Sequence, residues 1–421
     1  MNVGNRKFDA AMQGDRSSLM EIFLVFLRLG LTSFGGPTAH IGYFREAFVE
    51  KRKWLTDSEY ADLVALCQFL PGPASSQVGF AVGLRRGGWL GGAAAWLGFT
   101  LPSALALVIF GLSLLRWGSG GGDSENGSGW LRGLQLTAVV VIAKAVWSMA
   151  VSLCPDRLRV TLALAAAAVV LAWPGTLAQV GVILGGGLVG WLLLKKAGQG
   201  SVVAESDGID SGGQKTRLSR MAPMICLVLF AALLFGLPVV AKVSGSREWV
   251  VADGFFRTGS LVFGGGHVVL PLLRAEMVEP GLVTEENFLA GYGAAQAVPG
   301  PLFTFAAYLG TVIEDSDSPV RMAAICLVAV FAPSWLLIGG VLPLWERLRR
   351  IASLRSALAG TNAAVVGLLG AALYRPAWTG AVNEIGDVLF LLGIAAAFLV
   401  WRMPVWAVVI VAGFAGGLVL R

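Results

Sequence analysis

Histidine is nearly absent from this chain, with two in 421 residues, and its four cysteines, Cys67, Cys154, Cys226 and Cys326, stand singly with no Cys-x-x-Cys spacing. A His-rich or Cys-rich metal site and a dithiol redox pair are excluded on those grounds. Charge is scarce too: Lys, Arg, Asp and Glu make up 14% of the residues against 56% hydrophobic ones, which excludes an ordinary soluble domain. A nucleotide-binding loop and a His–carboxylate constellation are also missing, so a membrane-embedded enzyme, such as a transferase or a reductase, has little to build on. The polar start, "MNVGNRKFDAAMQGDRSSLM", carries no apolar core followed by a small-residue cleavage site, so no cleavable signal peptide is expected.

Long apolar runs are what the chain does have. They lie near 88–115, 130–153, 158–173, 175–194, 221–241, 320–345, 356–373, 385–401 and 404–420. Most approach the roughly 20 residues of a spanning helix, which predicts about nine spanning helices in an all-α polytopic membrane protein. The run at 158–173 is short, and "WPG" at 173–175 makes it a candidate arm of a helical pair. The net charge of +6 does not point to nucleic acid, because the basic residues sit at membrane flanks, where the positive-inside bias explains them.

The two halves repeat each other. "FLRLGLTSFGGPTAHIGYFREAFVE" (26–50) aligns without a gap on "FFRTGSLVFGGGHVVLPLLRAEMVE" (255–279), pairing Arg28 with Arg257, Gly35-Gly36 with Gly264-Gly265 and Arg45 with Arg274. After a one-residue deletion, "YADLVALCQFLPGP" (60–73) aligns on "FLAGYGAAQAVPGP" (288–301), pairing Gln68 with Gln296 and Pro71-Gly72-Pro73 with Pro299-Gly300-Pro301. The loop at 44–60 is basic, with Arg45, Lys51, Arg52 and Lys53, whereas the matching loop carries Glu276, Glu279, Glu285 and Glu286. Opposite charge bias predicts opposite sides of the membrane and hence an inverted internal repeat, the helix at 221–241 supplying the extra crossing. The expected domains are a first repeat over 1–194, a cytoplasmic linker over 195–220, and the connecting helix with the second repeat over 221–421. The N-terminus is expected in the cytoplasm.

Pro-Gly-Pro cannot continue a helix, and freed backbone groups are tolerated in a membrane only where protein or water satisfies them. The breaks therefore predict broken or re-entrant helical hairpins whose ends, with free N–H groups, line a cavity suited to an anion. The expected substrate-binding set is Arg28, Ser33, Gly35, Gly36, Gln68, Pro71, Gly72, Pro73, Ser75, Ser76 and Gln77 in the first copy. In the second it is Arg257, Gly264, Gly265, Gln296, Pro299, Gly300, Pro301 and Thr304. His40, Arg45, His267 and Arg274 are candidates for gating or proton coupling. Competing readings accompany these: the intramembrane arginines snorkel or pair with a carboxylate such as Asp253, Arg45 and Arg274 are ordinary flanking residues, and the histidines are simply packed. Lys144, inside "VVVIAKAVWSM", is a further buried-charge candidate for which snorkelling carries equal weight.

These motifs resemble those of the chromate ion transporter family. "LGLTSFGGPTAHIGYFREAFV", "YADLVALCQFLPGPASSQVGFAVG" and "AAWLGFTLPSALAL" look like its first-half signature, and "FGGGHVVLPLL" with "FLAGYGAAQAVPGPLFTFAAYLGT" looks like its second. The resemblance covers both halves, so it implies a long-chain member. It implies a secondary transporter that moves chromate out of the cytoplasm across a bacterial inner membrane at the expense of the proton motive force, giving chromate resistance. It also implies functional roles for Pro37 and for the Gly-Gly, Pro-Gly-Pro, Arg, His and Gln positions named above. Sulfate, an isosteric dianion, is the alternative substrate. The expected partners are such a dianion, membrane lipid and protons, with a homodimer left open; neither cofactor nor nucleic acid is expected.

Overall fold

Glycine and proline set where the helices stop. A computed structural model describes residues 18–118, 129–194, 217–263, 265–314, 317–348 and 351–420. Helix α1 (Leu19–Thr32) starts on the Ser18 hydroxyl, which accepts from the Glu21 N–H at 3.0 Å, and ends before Gly35, whose φ of +101° no L side chain adopts readily. Helix α2 (Gly36–Arg45) runs on as a π turn over Glu46–Lys51. Helix α3 (Asp57–Phe69) opens on a capping box of Thr56 and Glu59 and stops at Pro71-Gly72-Pro73. Helix α4 (Ala74–Gly118) kinks at Gly87-Gly88, and α5 (Gly129–Leu153), α6 (Arg157–Ala172) and α7 (Thr176–Leu193) complete the first half.

The linking helix α8 (Arg217–Ser244) follows; of the expected linker, residues 195–216 lie outside the described residues, as do residues 1–17. The order then recurs. Helix α9 (Arg247–Leu261) matches α1; a 3-10 turn (Gly266–Val268) leading into α10 (Val269–Met277) matches α2; α11 (Glu285–Ala295) matches α3. A turn at Leu302–Thr304 with α12 (Phe305–Thr311), followed by α13 (Pro319–Val341), matches the two arms of α4. Helices α14 (Ala352–Ala372), α15 (Ile385–Leu399) and α16 (Val405–Val419) match α5, α6 and α7.

The apolar helices fall into two length classes. Among the described residues, five helices are long and apolar enough to cross a membrane: Ala74–Arg116, Gly129–Leu153, Met221–Ser244, Pro319–Leu344 and Ser353–Ala381. The other four expected spans are the 16-residue α6, the 18-residue α7 and the 15-residue α15 and α16. At 1.5 Å per residue these reach roughly 23 to 27 Å, short of the roughly 30 Å hydrocarbon layer, and they turn back in pairs. The run at 158–173 is indeed one arm of such a pair, closed at Gly175 with φ +131°.

The motif segments fold as hairpins, and in three of them contacts tie the open ends together. Glu21 at the start of α1 lies 3.5 Å from Arg52 beyond α2, and Glu59 at the start of α3 lies 3.1 Å from Arg85. In the second half, the Tyr308 hydroxyl of α12 donates to the Asn287 carbonyl of α11 at 2.8 Å. Outside the motifs the halves exchange elements: α5 packs on α15 and α16, while its counterpart α14 packs on α6 and α7. Small residues permit that approach, since a Cβ on Gly360 would stand 2.6 Å from Gly190 Cα and one on Gly416 2.9 Å from Gly133 Cα. Apolar side chains cover the periphery, Leu177 being 90% and Val243 84% exposed, which suits a lipid solvent.

Candidate functional site

The two Pro-Gly-Pro breaks hold the halves together. The Gly72 N–H donates to the Val262 carbonyl at the end of α9 at 2.7 Å, and the Gly300 N–H donates to the Ser33 carbonyl at the end of α1 at 2.9 Å. Val262 and Ser33 are matching positions, so this is one bond made twice, each half giving to the other. Glycine is required at both donors. Gly72 and Gly300 sit at φ +123° and +99°. A Cβ on Gly72 would run into Ser334 Oγ, and one on Gly300 would come within 2.9 Å of Ser103 Oγ. Those two serines follow Pro102 and Pro333, the prolines inside α4 and α13, so each proline-bearing helix seats the other half's break.

Several expected ligands are spent on holding these breaks. His40 is fully buried, with Nε2 3.1 Å from the Ser33 carbonyl and Nδ1 3.3 Å from Ser75 Oγ. The tautomer this network assigns has Nε2–H donating and Nδ1 accepting from the serine. Gln77 Nε2 donates to the Pro71 carbonyl at 2.6 Å and to Ser334 Oγ at 3.4 Å. The Thr304 hydroxyl donates to the Pro301 carbonyl at 2.7 Å. Ser33 Oγ, Ser76 Oγ and Gln77 Oε1 are buried without a protein hydrogen-bond partner.

Beside this crossing lies a cavity of about 320 Å³. Gly35, Gly36 and Pro37 line it from the start of α2, and Gly265, Gly266 and His267 line it from the turn leading into α10. Gly35 and Gly265 occupy N-cap positions and have no side chain to cap the first turn, so the free N–H groups and positive ends of two helices reach one space. Gln296, Val298 and Gly300 come from the second Pro-Gly-Pro region, and Gln296 Nε2 is a buried donor with no partner. The third wall is a stripe of α5, Lys144, Ser148 and Ser152, spaced one turn apart. Lys144 makes no ion pair among the described residues; its Nζ lies 5.1 Å over the Phe398 ring. A cation, several N–H donors and no carboxylate among the lining residues make a site for a small anion. His267 Nδ1 is 2.7 Å from the Tyr292 hydroxyl.

Of the residues expected at the site, Gly35, Gly36, Gly265, Gln296, Gly300 and His267 thus line one cavity, and Gly264 lies outside the described residues. The arginines do not join them. Arg28 is exposed and without an ion pair among the described residues, while Arg257 lies 3.1 Å from Asp253 and 3.0 Å from Glu276. Arg45 pairs with Glu50 and, at 2.6 Å, with Asp57; Arg274 pairs with Glu279 at 3.3 Å and Glu285 at 2.9 Å. The carboxylates are matching positions, so this clamp from one motif hairpin to the next is duplicated along with its arginine. Gln68 is exposed. Lys144, expected as a buried charge, is exposed at the cavity wall, and sequence reasoning passed over Ser103 and Ser334, although the duplicated Pro-Ser at 102–103 and 333–334 was a readable signal.

Comparison with known proteins finds relatives over both halves of the chain. The family model described as "Chromate transporter" matches residues 20–191 and 249–417, one stretch in each half. The chain is 30% identical over 417 residues to a "Chromate transport protein" of Pseudomonas aeruginosa, covering 96% of this chain and 92% of that one. It is 24% identical over 369 residues to a "Chromate transport protein" of Cupriavidus metallidurans, covering 85% and 82%. A shorter relative, the uncharacterized transporter YwrA of Bacillus subtilis, is 27% identical over 154 residues, which are 30% of this chain and 86% of YwrA. No solved structure matches the chain.

Proposed function

This chain belongs to the chromate transporter family, and from that premise we propose that it is a secondary active transporter exporting chromate from the cytoplasm across the inner membrane, so conferring chromate resistance. The observation that carries the reading is the carboxylate-free cavity between the two Gly-Gly breaks, with Lys144 and Gln296 on its wall. A divalent anion gives up costly hydration on leaving water, so its site must supply fixed donors and at least one cation. Two uncapped helix starts supply N–H groups that need no reorientation, and the ammonium of Lys144 supplies the charge. The cavity's donors answer to charge and tetrahedral shape, which chromate shares with sulfate; sulfate is accordingly the second reading.

Alternating access follows from the crossing. Tilting one half against the other strains the Gly72–Val262 and Gly300–Ser33 bonds in turn, so each outward or inward state keeps one and loosens its twin. We take the halves as inverted, on the strength of the basic 44–60 loop, its acidic counterpart and the long extra helix α8. A dianion leaving a cell that is negative inside gains roughly 4.6 kcal/mol per 100 mV, which favours export, and a coupled proton adds to it.

Radiolabelled chromate uptake into everted membrane vesicles tests the reading. Protein-dependent accumulation that collapses with an uncoupler is the expected result. Accumulation only in right-side-out vesicles, competed by sulfate, would replace it with a sulfate importer.

A further inference from the structure

A second polar cavity, of about 320 Å³, lies where the turn between α6 and α7 meets α10 and the end of α14. It offers donors and acceptors together. Arg375, in the π turn Leu373–Trp378 that follows α14, is exposed and makes no ion pair among the described residues. Gly175 is the N-cap of the 18-residue α7 and brings no capping side chain, so the first N–H groups of that helix are open at the cavity. Gln179, 4% exposed, spends its Nε2 on the Pro271 carbonyl at 3.3 Å, and its Oε1 is buried with no partner among the described residues. Glu279 gives Oε1 to Arg274 at 3.3 Å, while its Oε2 would stand 4.0 Å from a Cβ on Gly175. Arg274 itself is occupied, because Glu285 holds it as well.

A buried acceptor without a donor is costly, so the orphaned Gln179 oxygen points to a missing donor. A bare oxyanion would meet that oxygen and the Glu279 carboxylate, which sets this cavity apart from the carboxylate-free one between the Gly-Gly breaks. The group that satisfies both sets carries a negative phosphate and a cation with N–H donors. The setting is that of a bilayer surface. Trp173 is 69% exposed beside the α6–α7 turn, and Tyr374 and Trp378, 59% and 42% exposed, flank Arg375. Exposed Trp and Tyr near the ends of apolar helices mark the headgroup level, and Arg375 lies near the end of the apolar span Ser353–Ala381. The rest of the wall is apolar, with Val170, Leu171 and Leu368.

We propose that this cavity binds the headgroup of a zwitterionic aminophospholipid from the surrounding bilayer. The phosphodiester sits on the start of α7 and the Arg375 guanidinium, and the ammonium donates to Gln179 Oε1 and Glu279 Oε2. The acyl chains leave past Leu171. The bound lipid ties the α6–α7 turn to α10, the helix that leads away from the Gly265-Gly266 wall of the substrate cavity.

The test is native mass spectrometry of the delipidated full-length protein, titrated with phosphatidylethanolamine or with phosphatidylcholine of identical chains. Choline has no N–H, so the two lipids differ in the donors that Gln179 and Glu279 need. The ethanolamine lipid is expected to bind about tenfold more tightly, the low end of what a charged hydrogen bond supplies. Gln179→Met should abolish that preference. Arg375→Gln should weaken both lipids about tenfold, and Arg402→Gln, at an exposed arginine between α15 and α16, should change neither. Equal binding of the two lipids to wild type, or wild-type binding in Arg375→Gln, overturns the assignment, and neither result depends on the buried Gln179 variant folding. Competition by soluble glycerophosphoethanolamine at the lipid's own concentration would make the ligand a free phosphoester, and tighter binding of phosphatidylglycerol would make it an anionic lipid; either also overturns the assignment.

Discussion

Replacing Lys144 by methionine keeps the length of the side chain and removes its charge. Lys144 has no ion pair among the described residues, so the change orphans no described carboxylate; it removes the ammonium from the face of the Phe398 ring, an interaction worth about 0.5 to 1 kcal/mol. The effect on a bound dianion is much larger. Two unit charges 4 Å apart interact by about 4 kcal/mol at an effective dielectric constant near 20, and desolvating the ammonium and the anion offsets much of that. The net value of a charged hydrogen bond, about 1.5 to 3 kcal/mol, is therefore the better guide. Lys144→Met should raise the Kd for chromate roughly 10- to 150-fold, and Lys144→Arg should restore most of the loss. Equilibrium binding of labelled chromate to the purified protein measures both. A Kd within about threefold of wild type for Lys144→Met, together with a tenfold loss for Arg28→Ala, would refute the reasoning and move the substrate to the first-half arginine.

Further outcomes follow from the crossing and its flanks. Gly300→Ala forces a side chain to φ +99° against Ser103 and Phe99, whereas Gly88→Ala meets nothing within 4 Å at φ +62°; thermal unfolding should show a loss of about 2 kcal/mol or more for the first and about 1 kcal/mol for the second. Because Arg45 and Arg274 clamp hairpins rather than line the cavity, Arg45→Ala and Arg274→Ala should leave the chromate Kd within about twofold of wild type. Cysteines introduced at Lys53 and Leu282 should label from opposite sides of the membrane, and labelling from the same side would contradict the inverted arrangement.

The all-α membrane fold was legible because apolar runs need no tertiary context to be seen, and the repeat was legible because its glycines and prolines fall in one register. What the sequence hid is contact across the repeat. That the Gly72 N–H is satisfied by Val262 rather than by a substrate depends on how two halves meet, which no local pattern encodes. The intramembrane arginines were misleading for the same reason: rarity marks a charge as needing a partner, and for Arg257 that partner is a carboxylate pair, one of them from another helix. Lys144 sits in an unbroken apolar helix with no motif around it, and only the packing of α5 brings it to the cavity wall with Gly35, Gly36, Gly265 and Gly266. The α6–α7 and α15–α16 pairs are apolar but shorter than the five long helices, a difference that hydropathy alone registers poorly because it measures apolarity and not where a helix turns.

The most direct test is a cryo-electron microscopy difference map between the chromate-loaded and chromate-free protein in lipid nanodiscs. The account predicts a single strong density in the cavity, within hydrogen-bonding reach of Lys144 Nζ, Gln296 Nε2 and the Gly35-Gly36 and Gly265-Gly266 backbone. Density instead beside Arg28, or in the separate cavity lined by Arg274 and Arg375, with the space between the Gly-Gly breaks left empty, would contradict it.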